Sequence, residues 1–231
     1  MKRNVSLEEI SDGRLYGEND MVKADCHGCK GCAACCAGMG TSVILDPYDI
    51  YRFQKGMKKP LFYLIENDAV ELNVVDGAIL PNLKMVGEQE KCTFLSEEGR
   101  CGIHENRPGV CRLFPLGRFY EDGDFRYFLQ AGECKASNRS KVKVSKWIDI
   151  PDRNRNHDFL CKWHEVLKQV EAAVGENGEE MDLEVGRQIN MLLLKTFFLE
   201  PYVMEEDFYG QFEARMEAFR ENFNTLICGH G

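Results

Sequence analysis

Between Cys26 and Cys36 the chain reads CHGCKGCAACC, five cysteines in eleven residues. This stretch limits the fold more than any other, because each use of cysteine demands its own spacing and setting. A disulfide framework needs an oxidising compartment and usually an even count of cysteines. This chain has eleven, and its N-terminus, MKRNVSLEEISDGRLYGEND, offers no apolar block of the kind that directs export. Cysteines used only as core residues would be scattered singly on apolar faces. Clustered thiols in a chain of this kind point to metal, and the expected location is the reducing cytoplasm.

The series Cys26, Cys29, Cys32, Cys35 makes three successive Cys-x-x-Cys steps. Two intervening residues reverse the backbone, so that both sulfurs converge on one ion and N–H groups face them. Gly28 and Gly31 sit in these turns, where close approach to sulfur is easiest. Zinc ribbons and ferredoxin-type iron–sulfur loops share this spacing, so it names a metal without naming which. Cys35 and Cys36 are adjacent and must point in different directions. Either they face two sites, or the pair straddles one cluster.

Downstream, CTFLSEEGRCGIHENRPGVCRLFP supplies Cys92, Cys101 and Cys111, and AGECKA supplies Cys134. With Cys29, Cys32, Cys35 and Cys36 these make eight candidate ligands, enough for two four-ligand sites. Four thiolates around Zn²⁺ leave a charge of about −2, and an oxidised 4Fe–4S core leaves a similar excess. Burying it calls for nearby cations or N–H donors. Lys30, Arg100, Arg107 and Arg112 each lie within four residues of a candidate ligand, and are the expected outer support of the centre. The bland alternative is that they are ordinary surface cations.

The remainder is an acidic globular chain of 231 residues with net charge −9. That balance argues against nucleic acid as a partner, and no apolar run reaches the roughly 18 residues of a membrane span. Residues 1–25 read as a polar lead-in, with Ser6-Leu7-Glu8-Glu9 as a possible capping box. SVIL (42–45) reads as a short strand, and Asp46-Pro47 as a helix start with Gly56 as its stop. Hairpins are expected around Asp76-Gly77 and Asp122-Gly123. Three helices follow, near 159–174, 183–198 and from 205 onward. The expected fold class is α+β, with an irregular, hairpin-containing metal-binding module (26–140) packed against a helical C-terminal region (141–231).

The segment Cys29–Cys36 matches the CxxCxxCC signature of the YkgJ-type cysteine-cluster proteins, and LDPYDIYRF (45–53) resembles that family's post-cluster helix. CTFLSEEGRCGIHENRPGVCRLFP (92–115) is similar to its C-x-F-L…G-x-C-x-I-y-x-x-R-P-x-x-C-R segment, with His104 where the family usually has Tyr. His104 is therefore not carried over as a ligand. The resemblance spans roughly 26–135 and implies a zinc- or iron-chelating domain. Some members are labelled iron–sulfur oxidoreductases, and a longer related group, the flagellin lysine N-methylases, uses S-adenosylmethionine. No Gly-rich strand-to-helix loop of Rossmann type is present here.

Three functions compete. The preferred one is an iron–sulfur protein, with a 4Fe–4S cluster serving electron transfer or redox chemistry with a redox partner. A structural zinc domain that binds another protein is the alternative, and protein-lysine methylation the second alternative. Cys26 fits the spacing but precedes the family signature, and reads as a surface thiol in preference to a spare ligand. Cys161 with His164, at i and i+3 on a helix, and Cys228 with His230 near the end, are weaker metal candidates.

Overall fold

The computed structural model describes residues 6–26, 32–136, 138–175 and 183–228. Cys29 and Lys30, among the expected site residues, and His230 lie outside the described residues. In chain order the elements begin with a short helix α1 (Leu7–Ile10), closed by the Ser6–Glu9 capping box. Strands β1 (Ser11–Tyr16) and β2 (Met21–Asp25) follow, within the stretch expected as a lead-in. Next come helices α2 (Pro47–Met57) and α3 (Leu61–Glu66). Strands β3 (Val70–Val75), β4 (Ala78–Leu83), β5 (Met85–Val86) and β6 (Lys91–Cys92) precede α4 (Gly109–Leu113). The remainder is β7 (Leu116–Glu121), β8 (Asp124–Gln130), β9 (Ser140–Lys143), α5 (Val144–Ile148), α6 (Arg153–Val174), α7 (Leu183–Leu194) and α8 (Phe208–Cys228). Short sheets and mostly late helices make the fold α+β, as the sequence implies.

Both hairpins form where the Asp-Gly pairs stand. Asp76 and Gly77 have φ of 48° and 79°, and Asp122 and Gly123 of 52° and 79°. Two successive left-handed residues match the twist of the flanking strands. The strand expected at 42–45 shrinks to one bridge, Ile44 to Asn82, beside a Leu45 N–H bond to the Pro81 carbonyl at 2.8 Å. Pro81 has no N–H to return, so the ladder stops. Helix α2 starts as expected: Asp46 accepts from the Asp49 N–H at 2.8 Å, Asp49 accepts from the Asp46 N–H at 3.2 Å, and Pro47 fills the first turn. It runs past Gly56 to Met57, where Lys58 takes the left-handed cap at φ 57°.

Contacts divide the chain into two compact units, each discontinuous in sequence: 44–82 with 155–231, and 2–43 with 83–154. The linear division at residues 25 and 140 cuts the chain differently, because segment 44–82 groups with the C-terminal helices. In that unit α2, α6 and α8 meet through aromatic rings. Tyr48 and Phe208 lie 4.9 Å apart, Phe159 and Phe212 4.7 Å, and Trp163 and Phe197 5.1 Å between centroids. Helical period sets the buried faces: Phe159, Leu160, Trp163, Val166, Val170 and Val174 on α6, and Phe208, Phe212, Met216, Phe219 and Phe223 on α8, while Leu167 and Ile227, at the same period, are half-buried. No helix among the described residues is long and apolar enough to cross a membrane.

Asp207 caps α8, accepting from the Gly210 N–H at 2.8 Å and from both ends of the Arg155 guanidinium. Burial works to raise its carboxyl, but the Gly210 N–H and Arg155 outweigh that and hold it below the usual range. Asp207→Ala is expected to cost about 1 kcal/mol at pH 7. A depressed carboxyl contributes stability that is complete above its unfolded pKa and lost as pH falls through the folded one. Denaturation curves of the two proteins should therefore converge in acid.

The second unit holds a three-stranded antiparallel sheet, order β1-β8-β7, and two-stranded pairs β2-β9 and β5-β6. Val22 and Ala24 alternate inward on β2, and Leu116, Phe125, Tyr127 and Leu129 do so on β7 and β8. This unit carries the described cysteines from Cys26 to Cys134.

Candidate metal centre

Four short devices place the thiols. Strand β2 ends at Asp25, which pairs with Ser140 of β9 and accepts its hydroxyl at 3.0 Å, so Cys26 emerges from a fixed sheet end. A 3-10 turn, Ala34–Cys36, closes through the Cys36 N–H to the Ala33 carbonyl at 2.8 Å and presents the adjacent pair. Immediately afterwards Ala37 bridges Lys91 in antiparallel register, and Gly38 N–H donates to the Glu90 carbonyl at 3.0 Å. That register sets Cys36 opposite Cys92.

Beyond β6, Leu95 N–H donates to the Cys92 carbonyl at 2.9 Å, and the Phe94 N–H donates to the Cys92 sulfur. An amide aimed at sulfur is what a coordinated thiolate uses to spread its charge. Leu95 then bridges Cys101 around the turn at Gly99, φ 71°. Helix α4 carries Cys111, and its end is fixed by Trp147, whose indole donates to the carbonyls of Leu113 (3.3 Å) and Phe114 (3.1 Å).

The thiols gather around one neighbourhood. Cys26, Cys32, Cys35, Cys111 and Cys134 line one cavity of about 380 Å³, with Arg107 and Trp147 on its wall. Cys36 is in electrostatic contact with Cys35, Cys101 and Cys92, and Cys92 in turn with Cys35. The adjacent pair therefore links the cavity to the turns at 92–101. Among the described residues no three of these sulfurs lie within 4.8 Å of one another. They are gathered but not closed into a four-sulfur shell. None of the ten described cysteines is in a disulfide.

Electrostatics distinguishes the pair. The Cys35 thiol is pulled down to about 7, chiefly by a hydrogen bond from Cys36; burial opposes this, while its own amide and Arg107 help. Cys36 is pushed up, first because it donates that bond, then by burial and by the neighbouring Cys35, Cys101 and Cys92. Burial raises Cys92 as well, against the Phe94 N–H. Thiols crowded this closely resist ionising together, and a cation between them would reverse that resistance.

Of the three expected cations among the described residues, Arg107 alone lines the cavity. It lies 2.9 Å from His104, NH1 to Nε2. Arg112 is buried and points its fork at backbone, donating to the Asp149 carbonyl at 3.2 Å and to the Glu105 carbonyl. Arg100 is exposed. All three reach His104, which is held below its ordinary value by burial and then by Arg107, Arg112 and Arg100. His104 thus sits among three cations, Arg100, Arg107 and Arg112, opposed by Glu105, in a chain that is acidic overall. Soft donors from separate segments, an amide on sulfur and this local positive field fit a metal bound as thiolate.

Among residues that spacing treated differently, Cys26 is half-buried on the cavity wall. The signal was its place in the Cys-x-x-Cys series. Cys161 is half-buried on α6, with its sulfur within 4.8 Å of a ring nitrogen of His157, one turn earlier, and Cys228 is exposed.

Comparison with known families matches residues 28–135 to CxxCxxCC, described as a "putative zinc- or iron-chelating domain". No curated protein and no solved structure gives a significant match.

Proposed function

We propose, from the match of residues 28–135 to a zinc- or iron-chelating domain, that this chain binds iron, held with sulfide as an iron–sulfur cluster in the thiol-lined cavity. The observation that carries this reading is a cavity of about 380 Å³ faced by five cysteines. A single ion holds its thiolates at about 2.3 Å and fills its own shell, with no hollow left over. A polynuclear centre needs volume, and a substrate or electron carrier at its edge needs more.

Cys32, Cys35, Cys111 and Cys134 would hold the cluster from this wall, with Cys29 as a further ligand on sequence spacing. When bound, such a group supplies one-electron transfer. The chain's own residues set the conditions. Arg107 offsets the anionic charge of the thiolates, and Phe114, Pro115 and Trp147 limit the access of water. Both influences move a reduction potential. The unbridged thiols suit a reducing compartment such as the cytoplasm, and a redox partner protein is the expected reader of the centre.

Zinc is the second reading, favoured by Cys36, Cys92 and Cys101. Short turns and single bridges gather these three, as in the compact shell of a structural ion.

Full-length protein purified anaerobically should be brown and absorb at about 400 nm. It should lose that colour with dithionite and contain iron and acid-labile sulfide in comparable amounts. Colourless protein with stoichiometric zinc and no sulfide would overturn the iron reading and leave metal binding intact.

A further inference from the structure

Cys26 precedes the matched family segment by two residues. The pairing of β2 with β9 nonetheless brings it to the cavity that family cysteines line. From its own side, β2 delivers it: Val22 and Ala24 are buried, and Asp25 is locked to Ser140 by strand pairing and by a 3.0 Å side-chain bond. From the other side, β9 is the strand into which the segment bearing Cys134 runs. Cys26 thus leaves the paired end of β2 directly, and Cys134 precedes β9 by six residues. The half-buried Cys26 faces Cys32, Cys35, Cys111 and Cys134 across the hollow.

Cys26 joins four described thiols on the cavity, so that, with Cys29 on spacing, the site offers more sulfurs than a four-ligand centre takes. We propose that Cys26 is a metal-contacting ligand of this cavity, additional to the family's set, and that it takes iron or zinc as a thiolate. This inference rests on the cavity binding a metal, as proposed above. A surplus sulfur within reach gives the centre an exchangeable coordination place. One thiolate can replace another there without admitting water, a property of sites that load or release metal through the protein's own sulfurs.

The test is thiol protection in the full chain. Protein loaded anaerobically with Fe²⁺ and sulfide, and separately with Zn²⁺, is pulsed with iodoacetamide, and each cysteine is followed by peptide mass spectrometry. The same is done after chelation. Coordination masks the nucleophilic thiolate, so Cys26 should react at least about tenfold more slowly in loaded than in chelated protein, in step with Cys32 and Cys111. Cys228, exposed, should react equally in both. Far-ultraviolet circular dichroism of the same samples, dominated by helices such as α6 and α8, reports whether the chelated chain stays folded.

If Cys26 reacts at one rate in both forms while Cys32 and Cys111 are protected, its assignment falls and the metal reading stands. If no metal is retained and no thiol is protected, both fall. Protection by Zn²⁺ alone overturns the iron reading and supports Cys26. Should chelation unfold the chain, Cys26→Ser decides: the assignment requires a changed absorption spectrum and faster metal loss to chelator than wild type, and unchanged values overturn it.

Discussion

Cys111→Ser and Cys32→Ser, prepared anaerobically, are each expected to lose most of their bound metal and to melt well below wild type, while Cys228→Ser keeps both. Cys32 and Cys111 face the cavity from segments far apart in sequence, one in the cysteine-rich loop and one on α4. Metal held between them ties together parts of the chain that short turns alone secure. Binding by a full set of thiolates contributes about 10–16 kcal/mol in small zinc domains, and that binding energy is also folding energy. Serine oxygen is a poor replacement for a soft ligand, so even a loss of about 3 kcal/mol would lower the melting temperature by roughly 10 °C in a chain of this size. The exposed Cys228 at the end of α8 controls for generic loss of a thiol. Elemental analysis and thermal unfolding on the same samples make the comparison. Equal metal content across the three variants would contradict the ligand assignment.

Much of this arrangement is legible before any coordinates are consulted, for reasons that differ by element. The Asp-Gly turns at 76–77 and 122–123 are local, since two left-handed residues define each hairpin. The stripes of α6 and α8 follow from helical period alone, because their buried face is wide and aromatic. Sulfur spacing likewise declares a metal site. What spacing does not declare is which thiols meet. That Cys35 and Cys36 come beside Cys92 depends on the Ala37–Lys91 bridge, a long-range pairing with no signature in either segment. Strands β1 and β2 were hidden for a related reason. Their buried residues, Ser11 on one and Val22 and Ala24 on the other, are too few and too small to give a strong alternating pattern. Cys26 follows from β2: without that strand and its partner β9, nothing marks the thiol as fixed. Residues 44–82 join the helical unit because α2 contributes Tyr48 and Tyr51 to an aromatic cluster supplied otherwise by α6, α8 and Tyr202. Such a meeting depends on partners more than a hundred residues away.

The largest effect expected outside the cysteines belongs to Asn190. This residue is buried on α7, and its amide serves the hairpin β3–β4 at its turn. Its Nδ2 donates to the Gly77 carbonyl at 3.0 Å and to the Gly186 carbonyl at 3.1 Å, and its Oδ1 accepts from the Ile79 N–H at 2.6 Å. The turn has little room to rearrange: a Cβ on Gly77 would stand 3.1 Å from the Gly175 carbonyl and 3.4 Å from the Val174 side chain. Asn190→Leu keeps the volume and removes every partner. Two backbone groups of this half-buried turn then lose their partner, each at up to about 1–3 kcal/mol. A fall of about 2–4 kcal/mol in unfolding free energy is therefore expected, measured by denaturant titration of metal-loaded protein. Asn190→Asp should be no milder near neutral pH. Its carboxylate still accepts from Ile79, but it offers Gly77 a negative oxygen in place of a donor, at a buried site. Asn190→Gln tests geometry, since it keeps both functions on a longer arm and should fall between wild type and leucine. A leucine variant within 1 kcal/mol of wild type would show that water or neighbouring groups satisfy the turn. Metal content measured in parallel separates this packing defect from the coordination defect of the cysteine variants.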